Sequence, residues 1–268
     1  MKKLLLASFA CVALASSSAL AADMPLKALL PPAPAPTWTG CYVDGGAGYG
    51  LWNQDHYVTN PTLGTTVTTT DGGRGWLGRV GGGCDYQLGG NLSRWVIGAF
   101  GDYDFMGLNG SNSPSELISF GGSTTPITAN LKETGAWYVG ARVGYLLTPS
   151  ILSYVNGGYT GTSFTQTGEF QTLGGAAVGF AFPNYNTQGW FLGGGTETAV
   201  SDWLPGLPAG LFLRTEYRFS SYQTRNLSEF AIATGLPDGN VEHVTPYVQT
   251  ITTSLVWRFN LGAPIWTK

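Results

Sequence analysis

The stretch Arg214-Thr215-Glu216-Tyr217-Arg218-Phe219, RTEYRF, decides how this chain folds. Its charges fall on every second residue, with Thr, Tyr and Phe between them. Successive side chains of a strand point to opposite faces. One face here is therefore Arg, Glu, Arg and the other is Thr, Tyr, Phe. In a water-soluble sheet the charges meet solvent and the aromatics meet a core. In a barrel set in lipid the order reverses, with apolar residues outside and charges in the lumen. The remaining strands decide between the two.

The first residues set the compartment. MKKLLLASFACVALASSSALA places two lysines before an apolar run and ends on small residues. The run from Leu4 to Ala15 is too short for a membrane-spanning helix, which takes about 20 apolar residues. Ala19-Leu20-Ala21 fits a signal-peptidase site, so residues 1–21 read as a signal peptide that carries Cys11 away. Loss of Lys2 and Lys3 moves the formal net charge from -3 to -5. A mildly acidic chain with no basic cluster excludes nucleic acid as a partner. Asp23 to Pro36 holds five prolines, and residues 22–37 read as an extended periplasmic linker.

Composition narrows the class. Charged residues make up 11% of the chain, against roughly 25% in soluble domains. Glycine numbers 40, and Trp, Phe and Tyr together number 35. No apolar run after the signal is long enough for a spanning helix. This profile points to an outer-membrane barrel or a secreted β-protein.

Eight alternating segments recur, at about 38–52, 74–89, 94–106, 133–148, 151–164, 188–201, 209–221 and 244–259. Their connections alternate between long and short, as in outer-membrane barrels with long extracellular loops and short periplasmic turns. One face of these segments is uncharged throughout, from Val43, Ala47 and Leu51 to Ile251, Leu255 and Trp257. The other carries Asp44, Arg79, Asp85, Asp102, Asp104, Arg142, Glu197, Arg214, Glu216, Arg218 and Arg258. These are eleven of the 27 charges left once Lys2 and Lys3 are gone, six acidic and five basic. A water-facing surface needs no such balance. A closed lumen does, because an unpaired buried charge costs several kcal/mol. Trp76, Tyr49 and Trp190 fall near the loop ends, and Tyr86, Trp95, Tyr145, Trp257 and Phe259 near the turn ends, as two interfacial belts require. A sandwich with an aromatic core is the weaker alternative, since sandwiches turn their charges outward.

Several segments resemble the small outer-membrane barrels of alphaproteobacteria, the outer-membrane immunogenic or porin-family proteins with an OmpA-like transmembrane barrel. They are WTGCYVDGGAGYG at 38–50 with the Pro-rich stretch before it, GWFLGGGTETAV at 189–200, LRTEYRF at 213–219 and SLVWRFN at 254–260. The resemblance implies an all-β, eight-stranded antiparallel up-and-down transmembrane β-barrel over 38–260, with a short tail at 261–268. It also implies that Phe259 serves as the terminal aromatic read by the barrel-insertion machinery. This chain departs from the family pattern at Cys41, where an aromatic is expected, and at Phe100, an inward position where an acid is expected.

Other candidate residues are few. His56 lies in the first long connection and His243 near the start of the last segment. Barrel closure places the last strand beside the first, so the two could meet at the outer rim as ligands for haem or a metal. Without further Cys or carboxylate spacing this is a weak signal, and no metal is expected. Cys41 and Cys84 fall on the same face of adjacent strands. A disulfide is open to them if their Cα atoms lie within about 7 Å; two unbridged small residues facing lipid is the reading preferred. GGAAVGFAFP at 174–183 is the one apolar loop, able to fold onto the rim or to form a hairpin that raises the count to ten strands. No nucleophile or metal-protease spacing appears, so an enzyme is not expected. The sequence thus reads as a structural outer-membrane barrel, a surface antigen in contact with outer-membrane lipid and lipopolysaccharide. A narrow diffusion pore and a surface binder of haem or a host molecule are its alternatives.

Overall fold

The computed structural model describes residues 38–62, 64–112, 127–172, 175–204, 206–207 and 210–259. The expected signal peptide, linker and tail lie outside the described residues. Eleven strands follow in chain order: β1 (Gly40–Asn60), β2 (Gly64–Thr65), β3 (Thr69–Gln87), β4 (Trp95–Asn112), β5 (Ile127–Thr148), β6 (Ile151–Thr172), β7 (Phe180–Ala181), β8 (Tyr185–Ala199), β9 (Leu211–Tyr222), β10 (Arg225–Ala231) and β11 (Pro237–Phe259).

Eight of them form the wall. β1, β3, β4, β5, β6, β8, β9 and β11 pair in that order, and β11 returns to β1. Every pairing is antiparallel. Closure is complete along β1, where Cys41 faces Phe259 at one end and Thr59 faces Val241 at the other. A closed wall leaves no open edge within lipid, where an unpaired backbone group has no water to bond. The ring therefore has eight strands, not ten. The apolar loop supplies only β7, which pairs with β10 above the ring.

The two faces obey the alternation. Outward residues are exposed, among them Trp76 (74%), Val155 (63%) and Leu192 (60%). Tyr217 is also exposed, and its neighbours Glu216 and Arg218 are buried. RTEYRF thus turns its aromatic face out and its charges in. The belts sit as expected: Tyr49 and Trp76 are cross-strand partners with ring centroids 5.3 Å apart, and Trp95 pairs with Tyr145 at the other end.

The wall is taller than the sequence suggested. β1 runs to Asn60 and β3 starts at Thr69, so most of the first expected loop is strand. β5 and β6 likewise begin and end well beyond residues 133 and 164. Beyond the belt the outer face meets water, so Asn53, Asp55 and Thr59 can stand where Val and Leu stand lower down. The inner face there closes over an apolar core that includes Trp52, Leu108, Phe164 and Tyr185.

Candidate functional site: the charged lumen

The eleven inward charges come from seven strands: β1 (Asp44), β3 (Arg79, Asp85), β4 (Asp102, Asp104), β5 (Arg142), β8 (Glu197), β9 (Arg214, Glu216, Arg218) and β11 (Arg258). All are buried, none more than 9% exposed. Each has an opposite charge in contact.

They gather in two groups. Near the turn end of the barrel, Glu197 is the centre. It accepts from Arg258 at 2.7 Å, from Arg142 at 3.3 Å and from Arg214 at 3.1 Å. Arg142 and Arg258 also share Asp85, the latter at 2.8 Å, and Arg214 reaches Asp44 at 2.8 Å. Three guanidiniums around one carboxylate would repel one another unless further acids were close, and Asp85 and Asp44 supply them. The Tyr42 ring lies among the same three, 4.7, 4.6 and 5.1 Å from Arg142, Arg214 and Arg258, where its negative face favours cations.

Higher in the lumen the centre is Glu216. It accepts from Arg79 at 2.7 Å, from Tyr154 at 2.7 Å and from Asn156 at 2.6 Å, and it pairs with Arg218 at 2.5 Å. Arg79 closes a two-bond fork on Asp104, both bonds 2.7 Å, the strongest geometry available to this pair of groups. Arg218 bonds Asp102. Tyr154 joins the groups, since its ring lies 5.0 Å from Arg142 while its hydroxyl donates to Glu216.

Glycine makes the space. A Cβ built on Gly81 would collide with Asp102, and one on Gly193 would meet the Arg218 side chain at 2.9 Å. Alternating Gly with long charged residues on the inner face lets the forks cross the lumen at the height of their partners.

Aromatics lie below the network and within it, and the sequence reading missed most of them. Trp38 is fully buried below it. Its indole donates to the Pro149 carbonyl at 3.0 Å, and its ring packs on Phe212 and under Arg258 at 4.6 Å. Phe100 stands where an acid was expected, and its neighbours explain it. Phe100, Tyr138 and Phe191 surround Arg218, whose guanidinium lies 5.1, 4.7 and 5.2 Å from their rings. Phe100 thus gives Arg218 an aromatic face in place of a carboxylate, and its ring packs on Phe191, 6.0 Å away centroid to centroid.

The remaining candidates separate. His56 and His243 do lie in neighbouring strands, but on opposite faces of the wall. His56 is fully buried inside, between Asp71 at 3.3 Å and Glu242 at 3.0 Å. His243 points outward, stacked on Tyr57 at 4.5 Å and bonded to Asn226 at 2.8 Å. They cannot hold one haem iron or one metal ion between them. Among the described residues no group of three or more His, Cys, Asp or Glu is placed to hold a metal. Cys41 and Cys84 are cross-strand partners and are joined by a disulfide. This corrects the expectation of two unbridged residues; direct opposition in the register brings the sulfurs together, and the register was not readable from the residues alone. Phe259 ends β11 and is partly exposed on the outer face.

A closed antiparallel barrel of eight tall strands, apolar and belted outside and charged within, is an integral outer-membrane barrel. The chain belongs to the outer membrane protein beta-barrel domain family, whose model matches residues 7–259. Its fold is similar to that of the outer membrane protein OprG from Pseudomonas aeruginosa, with a TM-score of 0.54 and 11% identity over 84% of this chain and 99% of that one. It also matches AlkL in lipid bilayers (TM-score 0.43, 12% identity, 88% of this chain and 98% of that one). A further match is the outer membrane protease OmpT from Escherichia coli (TM-score 0.42, 12% identity, 81% and 98%). No curated protein matches the sequence.

Proposed function

We propose that this protein is a non-enzymatic structural barrel of the outer membrane that supports envelope integrity and presents surface loops, with its lumen closed by charge pairs. The observation that carries this reading is the pairing of each of the eleven lumen charges with an opposite charge, with Trp38 below them and Phe100, Tyr138 and Phe191 packed around Arg218 among them. An eight-stranded barrel has an interior that side chains just fill. A conducting path needs water beside its charges, whereas here each buried guanidinium is held against at least one carboxylate. The motifs shared with the alphaproteobacterial immunogenic and porin-family barrels fit the same role. Its partners on this reading are outer-membrane lipid, lipopolysaccharide and the insertion machinery that recognises Phe259.

Planar-bilayer recording of refolded full-length protein tests the reading against a narrow pore. A quiet baseline is expected at moderate voltage. Steady, repeated single-channel steps would overturn the closed lumen.

A further inference from the structure

Above the belt on the loop side, the outside of the wall carries cations that the lumen does not use. Arg74 on β3 stands opposite Asn109 on β4, and Asn109 stands opposite Lys132 on β5. Alternation places all three on the outer face. Arg74 shares its face with the exposed Trp76 two residues further on, and both chain neighbours of Lys132, Leu131 and Glu133, are buried inside. Adjacent strands lie about 4.8 Å apart, so the backbones of Arg74 and Lys132 are separated by roughly 10 Å. Both side chains are long enough to converge on one ligand.

The contrast with the lumen gives the row its meaning. Arg79, Arg142, Arg214, Arg218 and Arg258 are buried and paired with acids. Among the described residues, Arg74 and Lys132 have no ion-pair partner. They stand over the apolar exterior and next to Trp76, at the height where a lipid presents its headgroup. Gly107 lies beside Trp76 on β4 and leaves the surface low next to the indole. A ligand that fits here is apolar below, sugar-like beside the indole and anionic above.

We propose that Arg74 and Lys132 bind the phosphates of a phosphorylated acyl-glycolipid of the outer leaflet, of the lipid A type. Its acyl chains would lie along Val80, Tyr103 and Val139, and its disaccharide against Trp76 and the gap at Gly107. Asn109 offers an amide to the headgroup between the two cations. The site is independent of whether the lumen conducts.

The test uses refolded full-length protein in detergent micelles, followed by native mass spectrometry. Bisphosphorylated lipid A, the same lipid without its phosphates, and phosphatidylglycerol are titrated separately. Wild type is expected to hold the bisphosphorylated lipid at least about tenfold more tightly than either of the others, the size of one well-made ionic contact. Arg74→Gln with Lys132→Gln is expected to bring the three lipids close to equal. Arg94→Gln, which removes a cation at the opposite rim where Arg94 donates to Tyr145, is expected to leave the preference intact. Heat-modifiable gel mobility reports that each variant is folded, and the two single variants are read in the same way if the double variant is not. The proposal is overturned by a folded double variant that keeps the wild-type preference. Equal loss in Arg94→Gln would overturn it too, as would wild type holding phosphatidylglycerol as tightly as lipid A.

Discussion

Arg142 on β5 reaches across β4 to bond Asp85 on β3, and the residue beneath this bridge is Gly98. The register sets Asp85 opposite Gly98 and Gly98 opposite Arg142. A Cβ on Gly98 would collide with the Asp85 carboxylate. Gly98→Val therefore pushes Asp85 off both Arg142 and Arg258 without removing any charge. Leaving a buried charge without its partner costs about 3–5 kcal/mol, and displacement of Asp85 leaves Arg142 and Arg258 short of one. Urea unfolding in micelles should show a loss of this size. Ala99→Val, one residue on and facing outward, should change stability by about 0.5 kcal/mol or less. Equal effects at the two positions would mean that the bridge does not constrain position 98.

The orientation of the faces can be tested on β9. Tyr217 lies outside, between Gly194 and Ile251, and Thr215 lies outside between Thr196 and Thr253. Tyr217→Arg places a charge in lipid at a cost of about 2–4 kcal/mol near the midplane. Thr215→Val adds apolar surface to a lipid face and should be neutral. The fraction assembled into lipid vesicles, read by heat-modifiable mobility, should fall for the first variant and not for the second. Equal assembly of both would put Tyr217 away from lipid.

The faces were legible in the sequence because lipid and lumen impose opposite demands at a period of two. The eleven lumen charges could be assigned by that period alone, whereas Glu133 and Glu242, which are buried as well, were not. The strand ends were not legible, because the demand of the lipid stops at the belt. From Asn53 to Asn60 the outward residues are Asn53, Asp55, Tyr57 and Thr59, which water accepts as readily in a loop as in a strand. The specific partners within the lumen were also hidden. Glu197 meets Arg142 from β5 and Arg258 from β11 only because closure and shear bring those strands to one height. Trp38 opens the first segment, and nothing near it in sequence shows that it folds under the lumen to bond Pro149 across 111 positions. Contacts of that range follow from the register of the whole ring, and no local pattern encodes it.

The Cys41–Cys84 bridge ties β1 to β3 at the turn end, next to the seam where Cys41 also faces Phe259. Because the ladder already pairs these residues, the bridge acts mainly by restricting the unfolded chain. Cys41→Ser with Cys84→Ser should still yield a heat-modifiable barrel, destabilised by about 2–4 kcal/mol. Thiol titration of unfolded wild type should find no free thiol at either position until a reductant is added. Two free thiols in protein recovered from the envelope would show that the bridge does not form there.

His56 gives the extramembrane part of the barrel a dependence on pH. It lies seven residues beyond Tyr49 of the outer belt, inside the wall, with Asp71 of β3, Glu242 of β11 and Thr69 around its ring. Burial pulls its pKa down, but the hydrogen bonds and charges of Asp71 and Glu242 outweigh this and raise it to about 9. The ordinary value is about 6.5, so the folded state binds the proton more tightly than the unfolded one. The stabilisation is complete below about pH 6.5 and is lost as pH rises through about 9. Its full size is at most about 3 kcal/mol, from the shift at 1.36 kcal/mol per unit. Protection factors for amides at 56–59 and 241–244 should therefore fall between about pH 7 and pH 10 in wild type. In His56→Gln they should be lower at neutral pH and flat over that range, because an uncharged amide cannot hold two carboxylates and does not titrate. Level protection in wild type up to pH 10 would mean that His56 is neutral where it sits, and that Asp71 and Glu242 are held beside it by something other than an imidazolium.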